Sequence, residues 1–318
     1  MPRKLRLESE GGIYHVINRG NYRGDVFRSD KAKAAFLKCL DEACEKSGWV
    51  VHAWCVMSNH YHLALETPRG NLAEGMQWLQ GTFARRYNSL RSESGHLFQG
   101  RYKSLTVEPS GLGALCHYIH LNPVRASICT LETLAQWPWS SLFGLLQPKL
   151  RAKWFAAEAA LAQAGNLADT AAGRRKYLEY LAWLSEDEPA QKALNFANMS
   201  KGWAIGSLEF KKGLVADHKE AAAAIKQNQS EWQELRDAML EDVLTELLAK
   251  LNKQRGDLKR EGKSVPWKLA LATAMKAQTV VTNRWLSEHL HMGNLHEVSR
   301  KVSIWAKAPD VTLSRKLQ

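Results

Sequence analysis

Over residues 1–145 the spacing of apolar positions switches back and forth between two periods. GIYHVINRG (12–20) alternates β-branched and aromatic residues with others and stops at a glycine, the pattern of a strand. SDKAKAAFLKCLDEACEKSG (29–48) places Ala32, Ala35, Phe36, Cys39, Leu40 and Ala43 three and four apart. That spacing predicts a helix with Ser29 or Asp30 as N-cap and Gly48 as its stop. WVVHAWCVM (49–57) and HYHLALE (60–66) predict two strands joined by a tight turn at Ser58 and Asn59. NLAEGMQWLQGTFARRYNSLR (71–91) predicts an amphipathic helix, and LFQGRYKSLTVE (97–108) a further strand. Ser110 is the expected cap of a last helix through LGALCHYIHLN, which Pro123 ends. Strand, helix, hairpin, helix, strand, helix implies an α+β fold: a small antiparallel sheet with packed helices.

From Ala152 onward the pattern becomes almost all helical, with breaks at 187–207 and 255–268. The segment 279–306 predicts a helix, a short turn at Met292–Gly293–Asn294 and a second helix. Trp285, Leu286, His289 and Leu290 form one apolar face that Val298 and Val302 continue. A plain helical hairpin and a DNA-binding helix-turn-helix both fit this pattern. The expected domains are residues 1–145, 146–230 and 231–318, the last carrying the helix-turn-helix-like hairpin.

Composition adds a partner to this picture. The 318 residues carry 44 Lys and Arg against 32 Asp and Glu, a formal charge of +12. Such a surplus favours a polyanion, nucleic acid ahead of membrane. The five cysteines at 39, 44, 55, 116 and 129 form no CxxC pair, so neither a disulfide framework nor a zinc knuckle is expected. Reduced thiols in a cytoplasmic protein fit best. No apolar leader core opens the chain, and no stretch approaches the ~18 apolar residues of a membrane span.

Within the second hairpin strand, His60 and His62 are two apart and project from the same face. Two imidazoles on one rigid strand can share a divalent cation, although an HxH pair also occurs as ordinary strand histidines. No zinc-hydrolase Asp or His follows them, and Cys55 alone does not make a closed zinc site. Two imidazoles and one oxygen ligand, with open positions, suit Mg²⁺ or Mn²⁺ holding a phosphate. In CHYIHLNPVRA (116–126), Tyr118 and Asn122 are four apart and share a helical face. A phenol and an amide oxygen there would bring a nucleophile and a third ligand to one metal, whereas singly they read as a helix tyrosine and a helix terminator.

Taken together, IYHVINRGN (13–21), MSNHYHLAL (57–65), LFQGRYKS (97–104), YIHLNPVRA (118–126) and WPWSSL (137–142) resemble the HUH single-strand nucleases. Within that superfamily they resemble the REP-associated tyrosine transposases. GWAIGSLEF (202–210) and the 285–302 hairpin resemble the C-terminal extension of longer members. The resemblance implies a ferredoxin-like, RRM-like catalytic domain. It implies that His60 and His62 bind Mg²⁺ or Mn²⁺, with Asn122 in the third-ligand position, where some relatives carry Gln. It implies that Tyr118 attacks a phosphate, giving a 5′-phosphotyrosine and a free 3′-OH, at palindromic REP-type hairpins. Tyr61, the middle residue of the motif, is expected in the core. Arg19 and Asn21 stand where relatives read a tetranucleotide beside the hairpin. Arg85, Arg86, Arg101, Lys103 and Arg125 are further candidate contacts to DNA. The implied protein is nucleoid-associated, and the long C-terminal chain favours a monomer over a dimer.

Two other readings keep part of the pattern. A non-enzymatic DNA-binding regulator built on the C-terminal hairpin explains the charge but leaves the His pair and Tyr118 coincidental. A metal-dependent hydrolase of small phosphates explains the His pair but has no use for the basic surplus.

Overall fold

The computed structural model describes residues 7–217 and 233–317. The backbone divides into two units, Met1–Gln227 and Asn228–Gln318. The expected boundary at 230/231 lies outside the described residues.

The first unit is α+β. Strands β1 (Gly12–Arg19), β2 (Val50–Val56), β3 (His60–Thr67), β4 (Lys103–Val107) and β5 (Ala204–Ile205) form one sheet in the order β2-β3-β1-β4-β5. All neighbours are antiparallel except β4 and β5, which run parallel. Helices α1 (Asp30–Ser47) and α2 (Leu72–Arg91) cover one face. Helix α3 (Leu112–Arg125) covers the other, together with helices drawn from residues 131–193. Among the described residues no helix is long and apolar enough to cross a membrane.

Local chemistry accounts for most of these boundaries. The Ser29 side chain accepts a hydrogen bond from the Ala32 amide at the start of α1, and Gly48 closes the helix in the left-handed conformation (φ 68°). Period-two alternation divides β3 between the two cores. Tyr61, Leu63 and Leu65 pack with Phe27, Phe36 and Phe83 beneath α1 and α2, and Ala64 faces α3. Gly75 of α2 lets the helix lie on the Trp49 ring, since a Cβ there would come within 2.1 Å of the indole.

Several expected elements differ. The strand expected over 97–108 is ordered as β4 only from Lys103, because residues 98–102 turn through Gly100 (φ 131°). Ser110 does not cap α3; it lies inside a short 3₁₀ turn, Pro109–Gly111, ahead of it. Pro123 does not end α3, which runs on to Arg125. A proline near a helix terminus loses only one ladder bond, here the one to the Ile119 carbonyl, and two further residues complete the last turn. The expected break at 187–207 contains β5, a two-residue strand with no periodic signal of its own.

The second unit is all helical in its described residues, around a core that includes Leu244, Leu247, Leu271, Trp285, Leu286, Val298 and Val302. The helices Asn283–His289 and Leu295–Lys307 form the expected hairpin. Each is capped, by Thr282 on the Trp285 amide and by Asn294 on the Glu297 amide.

Candidate active site

The α3 side of the sheet carries an unusual row for a buried face. Antiparallel register sets Arg19 opposite His60, Ile17 opposite His62 and His15 opposite Ala64. Period two then aligns His15, Ile17 and Arg19 beside His60 and His62 on one face. The His60 and His62 rings lie 5.0 Å apart, centre to centre, at 76°. Two imidazoles binding one ion at about 2.1 Å from each nitrogen bring their centres to roughly 5 Å, so this spacing fits a shared cation.

Hydrogen bonds orient both rings. Asn59 Oδ1 lies 2.7 Å from His60 Nδ1, and an amide oxygen can only accept, so that nitrogen carries the proton. The Nε2 lone pair of His60 is therefore left for a ligand. His62 Nδ1 lies 2.9 Å from Nε2 of His15. Burial keeps these rings uncharged. It pushes His15 down to about 4, with Lys103 reinforcing the shift against the Met199 hydrogen bond. It pushes His60 down to about 4, with Arg19 adding to the effect. His62 falls well below the ordinary histidine range through burial and then through its neighbours His15, His60, Arg19 and Arg125. Neutral imidazoles need lose no proton to bind a metal.

Helix α3 brings Tyr118 to the same place. Its ring stands edge-on to His62 at 5.9 Å and to His15 at 6.0 Å. The Arg125 guanidinium lies 4.7 Å from the centre of the Tyr118 ring and 5.6 Å from that of Phe196, which packs edge-on against Tyr118. Asn122, one turn on from Tyr118, donates Nδ2 to the Tyr118 carbonyl at 3.1 Å. The amide nitrogen is thereby engaged, and Oδ1 is the atom left to ligate. His60 and His62 lie beside Tyr118 on this face, and Asn122 follows one helical turn after Tyr118. Among the described residues no group of three or more His, Cys, Asp and Glu is placed to hold a metal.

The remaining sequence candidates fall into two groups. Arg19, Lys103 and Arg125 are close enough to the histidines to oppose charge on them, and Lys103 Nζ donates to the Ser200 carbonyl at 2.8 Å. Asn21 lies beside the site strand, in a turn whose amide donates to the Leu97 carbonyl. It lines an open groove with Arg28, Tyr87, Arg91 and His96, a groove that the histidine pair does not line. Arg101 is exposed in the loop that Asn18 ties through the Gly100 carbonyl. Arg85 and Arg86 lie on α2, across the sheet from the histidines. Arg86 is held by both oxygens of Glu42 at 2.8 and 3.0 Å and braces α1. Tyr61 is fully buried on that far side, accepting from Gln80 Nε2 at 2.7 Å.

Three site residues escape sequence reasoning: His15, Phe196 and Met199. His15 is visible as a histidine in an alternating strand, but only the register places it against His62. Phe196 and Met199 carry no local signal, since their partners are 78 and 184 positions away.

Residues 9–122 match the family model of IS200-like transposases. No curated protein matches the chain. Among solved structures, a REP-associated tyrosine transposase bound to a REP hairpin is similar over 47% of this chain and 88% of its own, with 15% identity and a TM-score of 0.40. A Deinococcus radiodurans protein described as a transposase is similar over 40% of this chain and 92% of its own, with 26% identity and a TM-score of 0.28.

Proposed function

We propose, from the match of residues 9–122 to the IS200-like transposase model, that the chain is a metal-dependent tyrosine transposase. In this reading it cuts and rejoins single-stranded DNA beside REP-type hairpins. The observation that supports it most is the meeting of the His60–His62 pair with the Tyr118 ring on a face lined by Arg19 and Arg125.

His60, His62 and Asn122 would hold Mg²⁺ or Mn²⁺, which when bound withdraws charge from the scissile phosphate. Arg19 and Arg125 attract and orient the phosphodiester in a site that is otherwise largely buried. The Tyr118 oxygen attacks phosphorus as its proton passes to solvent. The bond from phosphorus to the 3′ oxygen breaks, and that oxygen takes a proton from solvent and leaves as a 3′-OH. A 5′-phosphotyrosine remains, and attack by a 3′-OH on the adduct reverses the step and rejoins a strand. Arg125 over the ring face stabilises the phenolate as it forms.

A second DNA contact has its own support. The helix Leu295–Lys307 buries Val298 and Val302 and exposes His296, Arg300, Ser303 and Lys307 at intervals of three and four residues. This basic stripe on the second helix of a hairpin suits duplex DNA, and in this reading the second unit grips DNA while the first reacts with it.

The test is a denaturing gel of labelled hairpin oligonucleotide with Mn²⁺. Wild-type protein is expected to give a covalent adduct and a 3′-OH product, and Tyr118→Phe neither. An adduct with the Phe variant would exclude Tyr118 as the nucleophile, and wild-type cleavage without any adduct would favour a hydrolase.

A further inference from the structure

His15 lies at the centre of the buried face, yet nothing in the proposed chemistry uses it. Its Nδ1 is 2.7 Å from the Met199 carbonyl oxygen, and its Nε2 is 2.9 Å from His62 Nδ1. Its ring stacks on that of His62 at 5.1 Å and 25°. These contacts settle where the protons lie. A carbonyl only accepts, so His15 Nδ1 must donate. The uncharged ring then offers a lone pair at Nε2, which can only be matched by a proton on His62 Nδ1. Consequently His62 Nε2 has no proton and presents its lone pair. In the opposite tautomer His62 would carry its proton on Nε2, where a cation has to bind.

We propose that His15 is a positioning residue that holds His62 in the metal-binding tautomer, and that the Met199 carbonyl fixes His15 in turn. The inference rests on the reading of His60 and His62 as metal ligands. It also enlarges the site. Residues 196–200 lie beyond the matched transposase segment, 9–122, yet they supply three contacts. Phe196 packs on Tyr118, the Met199 carbonyl orients His15, and the Ser200 carbonyl accepts from Lys103. β5 follows at once and pairs with β4, which joins this segment to the catalytic sheet. The transposase segment alone therefore lacks the carbonyl that fixes His15 Nδ1.

Two substitutions separate positioning from packing. His15→Phe keeps an aromatic ring on His62 but removes both hydrogen bonds. His15→Gln can restore them, its amide nitrogen donating to Met199 and its oxygen accepting from His62. The full chain is titrated with Mn²⁺ by calorimetry, and the histidine tautomers are read from long-range ¹H–¹⁵N correlations without metal. The wild type should show His62 protonated on Nδ1. His15→Phe should bind Mn²⁺ about 10- to 100-fold more weakly, the usual effect of losing a ligand's outer partner. It should also move the His62 proton to Nε2, and His15→Gln should recover most of the affinity and the original tautomer. The proposal is overturned if wild-type His62 is protonated on Nε2, or if a folded His15→Phe binds Mn²⁺ as the wild type does. Should His15→Phe fail to fold, the wild-type tautomer and the Gln variant still decide. A wild type that binds no Mn²⁺ defeats the metal reading itself, and the tautomer spectrum then judges the role of His15 separately.

Discussion

Acidification should unfold the first unit well before ordinary acid denaturation, because burial disfavours a second proton on its histidines. The network behind α3 shows why. The Ser141 hydroxyl donates to the Trp54 carbonyl and accepts from the Trp54 amide, so His120 Nε2, 2.8 Å away, must donate to it. His120 Nδ1 is then an acceptor and takes the Tyr177 hydroxyl proton at 2.8 Å. The Tyr177 oxygen in turn accepts from His117 Nδ1 at 3.0 Å. His117 Nε2 is left with a lone pair and no partner. A proton added to His117 would be a buried donor without an acceptor, and one added to His120 would face the Tyr177 hydroxyl proton. Burial accordingly pushes both down to about 3, with His117 adding a smaller effect on His120, and pushes His15 and His60 to about 4. In the unfolded chain each returns to about 6.5. Unfolded protein thus binds more protons below pH 6.5, so stability is intact above that pH and is lost as pH falls toward 4 and then 3. At pH 5 each group costs about 2 kcal/mol, taking 1.4 kcal/mol per pH unit. Together they claim much of the ~5–15 kcal/mol that keeps a domain folded. All five cysteines lie in the first unit, and four are buried, so thiol exposure reports on that unit alone. The assay is urea unfolding at pH 7, 6 and 5 in chelator, each point read by a brief maleimide pulse after a jump to pH 7. The midpoint should fall steeply between pH 6 and 5, and less steeply in His117→Phe, which has one fewer proton to take up. The same midpoint at pH 7 and pH 5 would refute the proton assignments.

Other outcomes follow from the site and its surroundings. Tyr118→Phe should leave urea stability within about 1 kcal/mol of the wild type, the range of a single net hydrogen bond, while removing the DNA adduct; a large loss of stability would mean that the hydroxyl is a structural group. Arg19→Ala should weaken hairpin binding and reduce the slope of log affinity against log salt by about 1, the signature of one lost phosphate contact. Arg86→Ala, which frees Glu42 and the Cys39 sulfur, should leave that slope unchanged, and a fall equal to that of Arg19→Ala would place DNA across α2 instead. Replacing Arg300 and Lys307 together by Ala should weaken duplex binding in filter assays and leave the Mn²⁺ titration untouched. Unchanged duplex affinity would reduce the second hairpin to plain helical packing.

How much of the site could be read beforehand depends on the distance over which its geometry is set. The capped ends of α1 follow from Ser29 and Gly48, which act on their immediate neighbours. The end of α3 does not follow from Pro123, because the energy of a proline depends on how much helix remains beyond it and on what the helix packs against. β5 leaves no trace in the sequence because two residues contain no period, and it pairs with the edge that β4 offers. Arg86 looked like Arg19 in the sequence, as both are cations in amphipathic segments. Only packing showed that one meets Glu42 and the other stands beside His60.

By itself the sequence determined which side chains share a face within one element. Backbone geometry repeats every two residues in a strand and every 3.6 in a helix, so His60 pairs with His62 and Tyr118 with Asn122 whatever surrounds them. Tertiary structure alone decided that these two faces meet, that His15 stands behind His62, and that a carbonyl 184 positions from His15 orients it. Those relations depend on strand register and chain crossing, which are won by burying whole faces together, and no local period records them.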